Sequence, residues 1–388
     1  MAGPSACPDC LRRSYLLAQL APYIEKAATG SPGSRSPELM ALSNEDLTAA
    51  VAPKVAAQIL ERVAALPERR LAADLTAARC WACCRHDPLY PSGLHEAPDA
   101  AWALIGRGNP ALLGRLDPGE AVTLVGARRA SSYGREVARH LARELAAAGI
   151  AVVSGLAFGI DGCAHRGALE AGLTVAVLGS GADVAYPASH RSLWRQVCDR
   201  GLVLSELPPG TGAWRWSFPA RNRIMAALAG MTVVVEAAER SGSLITADLA
   251  SDLGRDLGAV PGPVGARCSA GPNNLLAGGA CVVRDAQDVL DAMLGVGVRS
   301  VQRHGEPLEP ELAEVLEAVE RGEGTCDAIA AALGSPPARI VAALARLEAA
   351  GYLACSAMGS YTRTPLRPPP ADGVPAKSAH PVVVPGGQ

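Results

Sequence analysis

Residues 121–154 read AVTLVGARRASSYGREVARHLARELAAAGIAVVS. The run AVTLVG (121–126) is apolar and β-rich without alternation, the pattern of a strand buried on both faces. Tyr133–Ala148 then carries helical spacing and is closed by Gly149, and Ala151–Ser154 starts a second strand. The alternation continues. Helix Phe158–Ala171, strand Thr174–Leu178, helix His190–Arg200, strand Leu202–Leu207, helix Ala220–Ala229 and strand Met231–Glu236 follow in turn. Helix Leu244–Leu257 and strands near Ala259–Val260 and at Cys281–Arg284 complete the series. Short continuous strands alternating with helices predict a parallel sheet covered on both faces. With right-handed crossovers this is an α/β, doubly wound, Rossmann-like sheet.

Outward from that block the chain changes character. Residues 1–79 read as a helical N-terminal region. Leu11–Ala28 has helical spacing, SPGSRSP (31–37) is a flexible break, and Leu39–Leu66 makes one or two short helices capped by Ser43 or Asn44. The Rossmann-like domain is expected over 80–298, with a mixed stretch at 68–120 in which WALIG (102–106) resembles a short strand. Gly295–Gly305 reads as a linker. Leu312–Arg321, Thr325–Leu333 and Pro337–Ala350 predict three short helices, followed by GYLACS and SYTRT. That order predicts a small winged-helix domain over 306–364, and the Pro-rich tail 365–388 is expected to be disordered.

Composition bounds the rest. With 388 residues, 49% hydrophobic and 19% charged, the chain can bury a sizeable core and is not a disordered polymer. Aromatic residues reach only 4%, so the core must be built from Ala, Val and Leu. No apolar run reaches 18 residues. The best candidate, Ile224–Val235, is too short and stops at Glu236, so no membrane span is expected. The N-terminus MAGPSACPDC lacks a basic segment followed by an apolar one, and a cytoplasmic address is expected. A net charge of −2 and a pI near 6.4 exclude a general polycation but leave room for a local basic groove. Of the 36 basic residues only Lys26, Lys54 and Lys377 are lysines.

In a doubly wound sheet, ligands sit beyond the C-terminal strand ends. The first such loop is VGARRASSYG (125–134), where Gly126 lets backbone come close to an anion and a helix N-terminus follows. It is not a GxGxxG fingerprint. The second, SGLAFGIDGCAH (154–165), offers backbone N–H groups at Ser154–Gly155. It also places Asp161 and His165 one helical turn apart, as a cap and buried hydrogen-bond partner or as two metal ligands, too few for a site alone. The third, GSGADVAYP (179–187), lacks the ending of a P-loop and is not a GxSxG elbow. In WRWSFPARNRIMAALAG (214–230), Arg215, Arg221 and Arg223 interleave with Trp214, Trp216 and Phe218. In a chain with two Phe, five Trp and seven Tyr, that density suits single-stranded nucleic acid, with charge for phosphates and flat faces for bases. The competing interpretation is a hydrophobic plug with a solvated rim. In EAAERSGSLITA (236–247), Ser241, Gly242 and Ser243 precede a helix and suit phosphate, with simple N-capping as the alternative.

These motifs, in this order, closely resemble the DNA-processing protein A (DprA, or Smf) family over residues 121–295. VGARRASSYG, SGLAFGIDGCAHRGAL, GSGADVAYP, FPARNRIMAAL, VVEAAERSGSLITADLASDLGRDLGAVPG and GPNNLLAGGA all match its pattern, and CRHDPLYPSGL (84–94) resembles the segment ahead of it. Phe158 stands where a basic residue is usual, and Ala227 replaces a Gly. The resemblance implies sequence-independent binding of single-stranded DNA, loading of the RecA recombinase during natural transformation, and a homodimer formed through the Rossmann-like domain. Carried over motif by motif, Gly126 and Arg128 belong to the DNA pocket. Ser154, Gly155, Phe218, Arg221, Asn222 and Arg223 line it, and Ser241, Gly242 and Ser243 take phosphate.

The chain has eleven cysteines. Cys7-x2-Cys10 and Cys80-x2-Cys83 are knuckle-like pairs, the second extended by Cys84 and His86. Four thiolates in two such turns make a closed tetrahedral zinc site, so Cys7, Cys10, Cys80 and Cys83 are candidate ligands of a structural zinc, with free cysteines as the alternative. The family pattern requires no zinc, and no other cofactor is expected. Two other function classes remain in view. A Rossmann-like nucleotide-binding or nucleotide-hydrolysing enzyme could use Glu206 or Glu236 as acid/base, although the phosphate loop of such enzymes is missing. A winged-helix regulator finds only two arginines on its would-be recognition helix (335–350).

Overall fold

Trp81–Cys84 (β1) and Ala103–Gly108 (β2) open a nine-stranded sheet in the computed structural model, which describes residues 3–30, 36–301, 303–304, 307–355, 359–363 and 366–368. The apolar runs follow as Ala121–Val125 (β3), Ala151–Ser154 (β4), Thr174–Leu178 (β5), Leu202–Ser205 (β6), Met231–Val234 (β7), Asp256–Ala259 (β8) and Cys281–Val282 (β9). Their spatial order is β1-β2-β6-β5-β4-β3-β7-β8-β9. From β6 across to β9 every pairing is parallel; β1–β2 and β2–β6 are antiparallel. The α/β reading with a mainly parallel sheet holds. The antiparallel edge comes from the stretch whose sequence reads as mixed.

The apolar continuity of the strands has its cause in two covered faces. Val122, Leu124 and Val152 pack with Leu141, Leu145, Ile160 and Val289 from helices on one side. Val125, Val153, Val177 and Leu204 pack with Ile224, Met225 and Leu228 on the other. Each such Leu or Val contributes roughly 1.5–3 kcal/mol by leaving water. Thr123, the one polar residue in β3, donates its hydroxyl to the Met225 carbonyl at 2.8 Å, which offsets the cost of its burial.

Residues 1–79 do not stand apart as the sequence suggests. Leu16, Leu17, Leu20 and Ile24 of helix Pro8–Gly30 share one core with Leu207, Trp216 and Ala220. The Glu25 carboxylate accepts the backbone N–H of Trp216 at 3.1 Å. Residues up to Val301 therefore form a single compact unit. Ser43, not Asn44, caps helix Asn44–Val51, accepting the Asp46 N–H at 3.0 Å.

The residues after Val301 form a second unit. Helices Pro310–Glu320, Cys326–Leu333 and Pro337–Ala349 precede an antiparallel pair, Leu353–Cys355 with Tyr361–Arg363, in the expected order. Leu312, Leu316, Ile329, Leu344 and Tyr352 fill its core. Most of the Pro-rich tail, and residues 31–35 of the flexible break, lie outside the described residues. Leu366–Arg367 is an exception. It pairs in parallel with Arg303–His304, so local backbone pairing reaches into stretches read as tail and linker. Among the described residues no single helix is long and apolar enough to cross a membrane.

Candidate nucleic-acid interface

The strand order reverses at β3, which has β4 on one side and β7 on the other. Val125 pairs with Val234, so the loops that follow leave the sheet at the same level and diverge. A crevice of about 870 Å³ opens there, at the topological switch point where such sheets take ligands.

Gly126 makes the two loops meet. A Cβ there would lie 2.6 Å from Ile160 and 2.8 Å from the Glu236 carbonyl. That carbonyl accepts the Ala127 N–H at 2.7 Å. The Glu236 carboxylate reaches back to Ser131, accepting its N–H at 2.8 Å and its hydroxyl at 2.5 Å. Ser131 in turn caps helix Ser132–Ala147. The loop between is thereby fixed with Arg128 and Arg129 facing the crevice. On the opposite wall Ser241 caps helix Gly242–Asp252, and its hydroxyl lies 2.7 Å from that of Ser243. Ser241, Gly242 and Ser243 all line the crevice, with a helix N-terminus between the hydroxyls.

Helix Ser217–Leu228 supplies the floor. Phe218, Arg221, Asn222 and Met225 lie at i, i+3, i+4 and i+7, one face of a helix, and all four line the crevice. Arg221 is buried. Its Nη1 donates to the carbonyls of Gly155 and Val177, each at 2.5 Å, and its Nε to Asn222 Oδ1 at 3.1 Å. Nη2 lies 3.8 Å from Asp161. Burial pulls the guanidinium down to about 10, so it stays charged at neutral pH. Asn222 also donates to the Gly242 carbonyl at 3.3 Å, tying floor to wall.

The lining is strongly basic. Arg128, Arg129, Arg215, Arg221 and Arg267 face one carboxylate, Asp161. Asp161 is itself committed. It accepts the N–H groups of Gly155 and Ala157 at 3.2 and 3.3 Å, and burial raises its pKa. Arg128 lies over the Phe218 ring, 5.1 Å from its centroid, as a cation–π pair. Tyr186 packs against the same ring at 5.2 Å. Tyr186, about half exposed, gives the crevice a flat apolar face, and half-exposed Phe158 lines the smaller recess next to it.

Several expected lining residues are elsewhere. Arg223 points away, because its helical position is turned from that of Arg221 and Asn222. It is 2% exposed and donates to Glu206 at 2.5 Å, with Asp99 at 3.8 Å. Ser154 is buried and donates to the Leu124 carbonyl at 2.7 Å, joining β4 to β3. Gly155 borders the smaller recess beside Phe158 and Tyr186. Trp216 is buried in the N-terminal core and Trp214 packs beside it, so the plug interpretation applies to both tryptophans, and of the three aromatics in this segment Phe218 alone lines the crevice. His165 is no ligand. Its Nε2 accepts the Leu156 N–H at 3.2 Å and its Nδ1 meets the Thr174 hydroxyl at 2.7 Å. The four cysteines expected to share a zinc are not together. Cys80 and Cys83 are three residues apart along an extended segment, so their side chains leave opposite faces. Cys80 packs near Cys198, and Cys83 enters the sheet core.

The sequence reading missed Tyr186 and Arg267 and gave Phe158 no role. Tyr186 sits in the quoted GSGADVAYP loop. Arg267 is a single arginine in an otherwise unremarked turn, with no signal of its own.

Residues 81–294 match the family model described as DNA recombination-mediator protein A. The chain is 42% identical over 270 residues to the putative DNA processing protein DprA of Mycobacterium tuberculosis, covering 67% of each chain. It is 35% identical over 285 residues to protein Smf of Escherichia coli, covering 71% of this chain and 75% of that one. Its fold is similar to the X-ray structure of DNA processing protein A from Streptococcus pneumoniae, with a TM-score of 0.58 and 33% identity over 74% of this chain and 98% of that one.

Proposed function

Because the chain belongs to the DNA recombination-mediator protein A family, the DprA/Smf proteins, we propose that it binds single-stranded DNA without reading its sequence. In the cytoplasm it would load the RecA recombinase onto strands taken up in natural transformation. The observation that carries the binding step is the crevice itself, where five arginines face one committed carboxylate beside exposed aromatic rings. Guanidinium groups and helix N–H groups hold phosphates whatever the base. Aromatic faces accept bases only when these are unstacked, which selects single strands over duplex.

A nucleotide-hydrolysing enzyme is the weaker reading. Glu236 has both carboxylate oxygens on Ser131, and Glu206 is held by buried Arg223. Neither is placed as a proton shuttle. The homodimer and a winged-helix role for the second unit belong to the same proposal, supported by the family resemblance and by that unit's helix–helix–helix–hairpin order.

Fluorescence anisotropy with matched single- and double-stranded oligonucleotides tests the binding. Single strands of unrelated sequence should bind alike and far better than duplex, with affinity falling as salt rises. Equal affinity for duplex, or release of free base from nucleotides, would overturn the reading. RecA loading is checked by RecA filament growth on strands precoated with single-strand-binding protein, and the homodimer by sedimentation.

A further inference from the structure

The cysteine cluster that does form differs from the one the spacing suggests. The ligand atoms of Cys7, Cys10, Cys84 and His86 all lie within 4.8 Å of one another. His86 Nδ1 is 3.5 Å from Cys7 Sγ, 3.6 Å from Cys10 Sγ and 3.8 Å from Cys84 Sγ. One imidazole nitrogen makes one hydrogen bond in the ring plane, so it cannot serve three thiols at once. Coordination explains the convergence. With Zn–S near 2.3 Å and Zn–N near 2.05 Å, a tetrahedron has S···N edges of about 3.6 Å.

We propose that Cys7, Cys10, Cys84 and His86 form a closed, four-coordinate structural zinc site that pins helix Pro8–Gly30 to the β1 edge of the sheet. Three thiolates and one imidazole are a zinc donor set, and no position is left open for water. The local structure suits thiolates. Cys7 immediately precedes the helix and Cys10 is in its first turn, where the helix dipole favours negative charge. The Cys7 N–H points to Cys84 Sγ at 3.4 Å, the kind of outer contact that steadies a metal-bound thiolate. Cys84 can join while Cys83 cannot, because neighbouring residues of β1 face opposite sides. Cys83 packs into the sheet core, and Cys84 lies with Cys10, Leu11 and Ile105.

The test is metal analysis of the untagged full chain expressed with added zinc. About one zinc per chain is expected, and cobalt(II) exchanged into the site should give the intense visible bands of tetrahedral thiolate coordination. Cys84→Ser and His86→Ala should lose the metal, whereas Cys80→Ser and Cys83→Ser keep it. His86→Cys should restore binding, which separates lost ligation from lost folding. Metal-free wild type, a Cys7–Cys84 or Cys10–Cys84 disulfide in its place, or zinc retained by Cys84→Ser would each overturn the assignment.

Discussion

A Cβ at position 155 would sit 2.0 Å from Nη1 of Arg221, so the guanidinium of one residue fills the side-chain space the other lacks. Arg221 is thereby held by the Gly155 and Val177 carbonyls with one edge toward Asp161 and the crevice.

Gly155→Ala should expel that guanidinium. Overpacking of this kind destabilises by roughly 1–3 kcal/mol, and the displaced arginine no longer holds its place in the crevice floor beside Asp161. Thermal melting together with strand binding checks this. Unchanged binding in the folded variant would mean that Arg221 acts only as a structural brace.

Arg128 and Phe218 should separate charge from stacking. Arg128→Ala removes an exposed cation at the crevice mouth. It should weaken single-strand binding by roughly 1.5–3 kcal/mol. The slope of log affinity against log salt should fall by about 0.7 for each phosphate that is no longer neutralised. Phe218→Ala should cost about 1–3 kcal/mol if a base stacks there, with the slope preserved. Anisotropy titrations at several salt concentrations read both quantities.

Arg223→Ala should act on stability instead. Removing it leaves the buried Glu206 carboxylate and the half-buried Asp99 without their cation, a destabilisation of roughly 3–5 kcal/mol. The fraction that remains folded should bind strands like wild type. A stable Arg223→Ala protein with weak binding would contradict the position of this side chain behind the crevice.

His165 gives a pH signature. Burial, helped by the nearby charges of Arg221, His190 and Arg166, lowers its pKa from 6.5 to about 3. The unfolded chain then holds the extra proton over a range in which the folded one does not. Its contribution to stability is whole above about pH 6.5 and is lost as pH falls toward 3, by up to about 1.4 kcal/mol per pH unit. Denaturant titrations across that window should show the decline, and His165→Asn should flatten it.

The central sheet was legible because runs such as AVTLVG and TVAVL have no polar face to present. The site was legible only in part. Carrying Arg221 and Arg223 over together from one motif set them side by side, whereas two positions along a helix turn them to different faces. Trp214 and Trp216 looked like stacking platforms because their partners, Leu16 to Ile24, are almost two hundred residues earlier. β1 was hidden by its cysteines, whose CxxC spacing suggests a knuckle while the chain there is extended. Pairing across such distances leaves no local mark on a sequence.

The hydrogen bond between Glu25 and Trp216 spans 191 positions, and this orders events during synthesis. The apolar stripe of Leu16, Leu17, Leu20 and Ile24 finds Met40, Leu47, Ile59 and Val63 soon after it leaves the ribosome, but the rest of this core stays open until Leu207, Trp216 and Ala220 are made. A nascent chain therefore displays the uncovered part of that helical core to chaperones or to other nascent chains for about half of its elongation. The crevice, whose lining runs from Val125 to Cys268, is complete only after about two thirds of the polypeptide has been made. A messenger cut or stalled before that point yields a product that exposes hydrophobic surface and has no finished crevice to hold a strand.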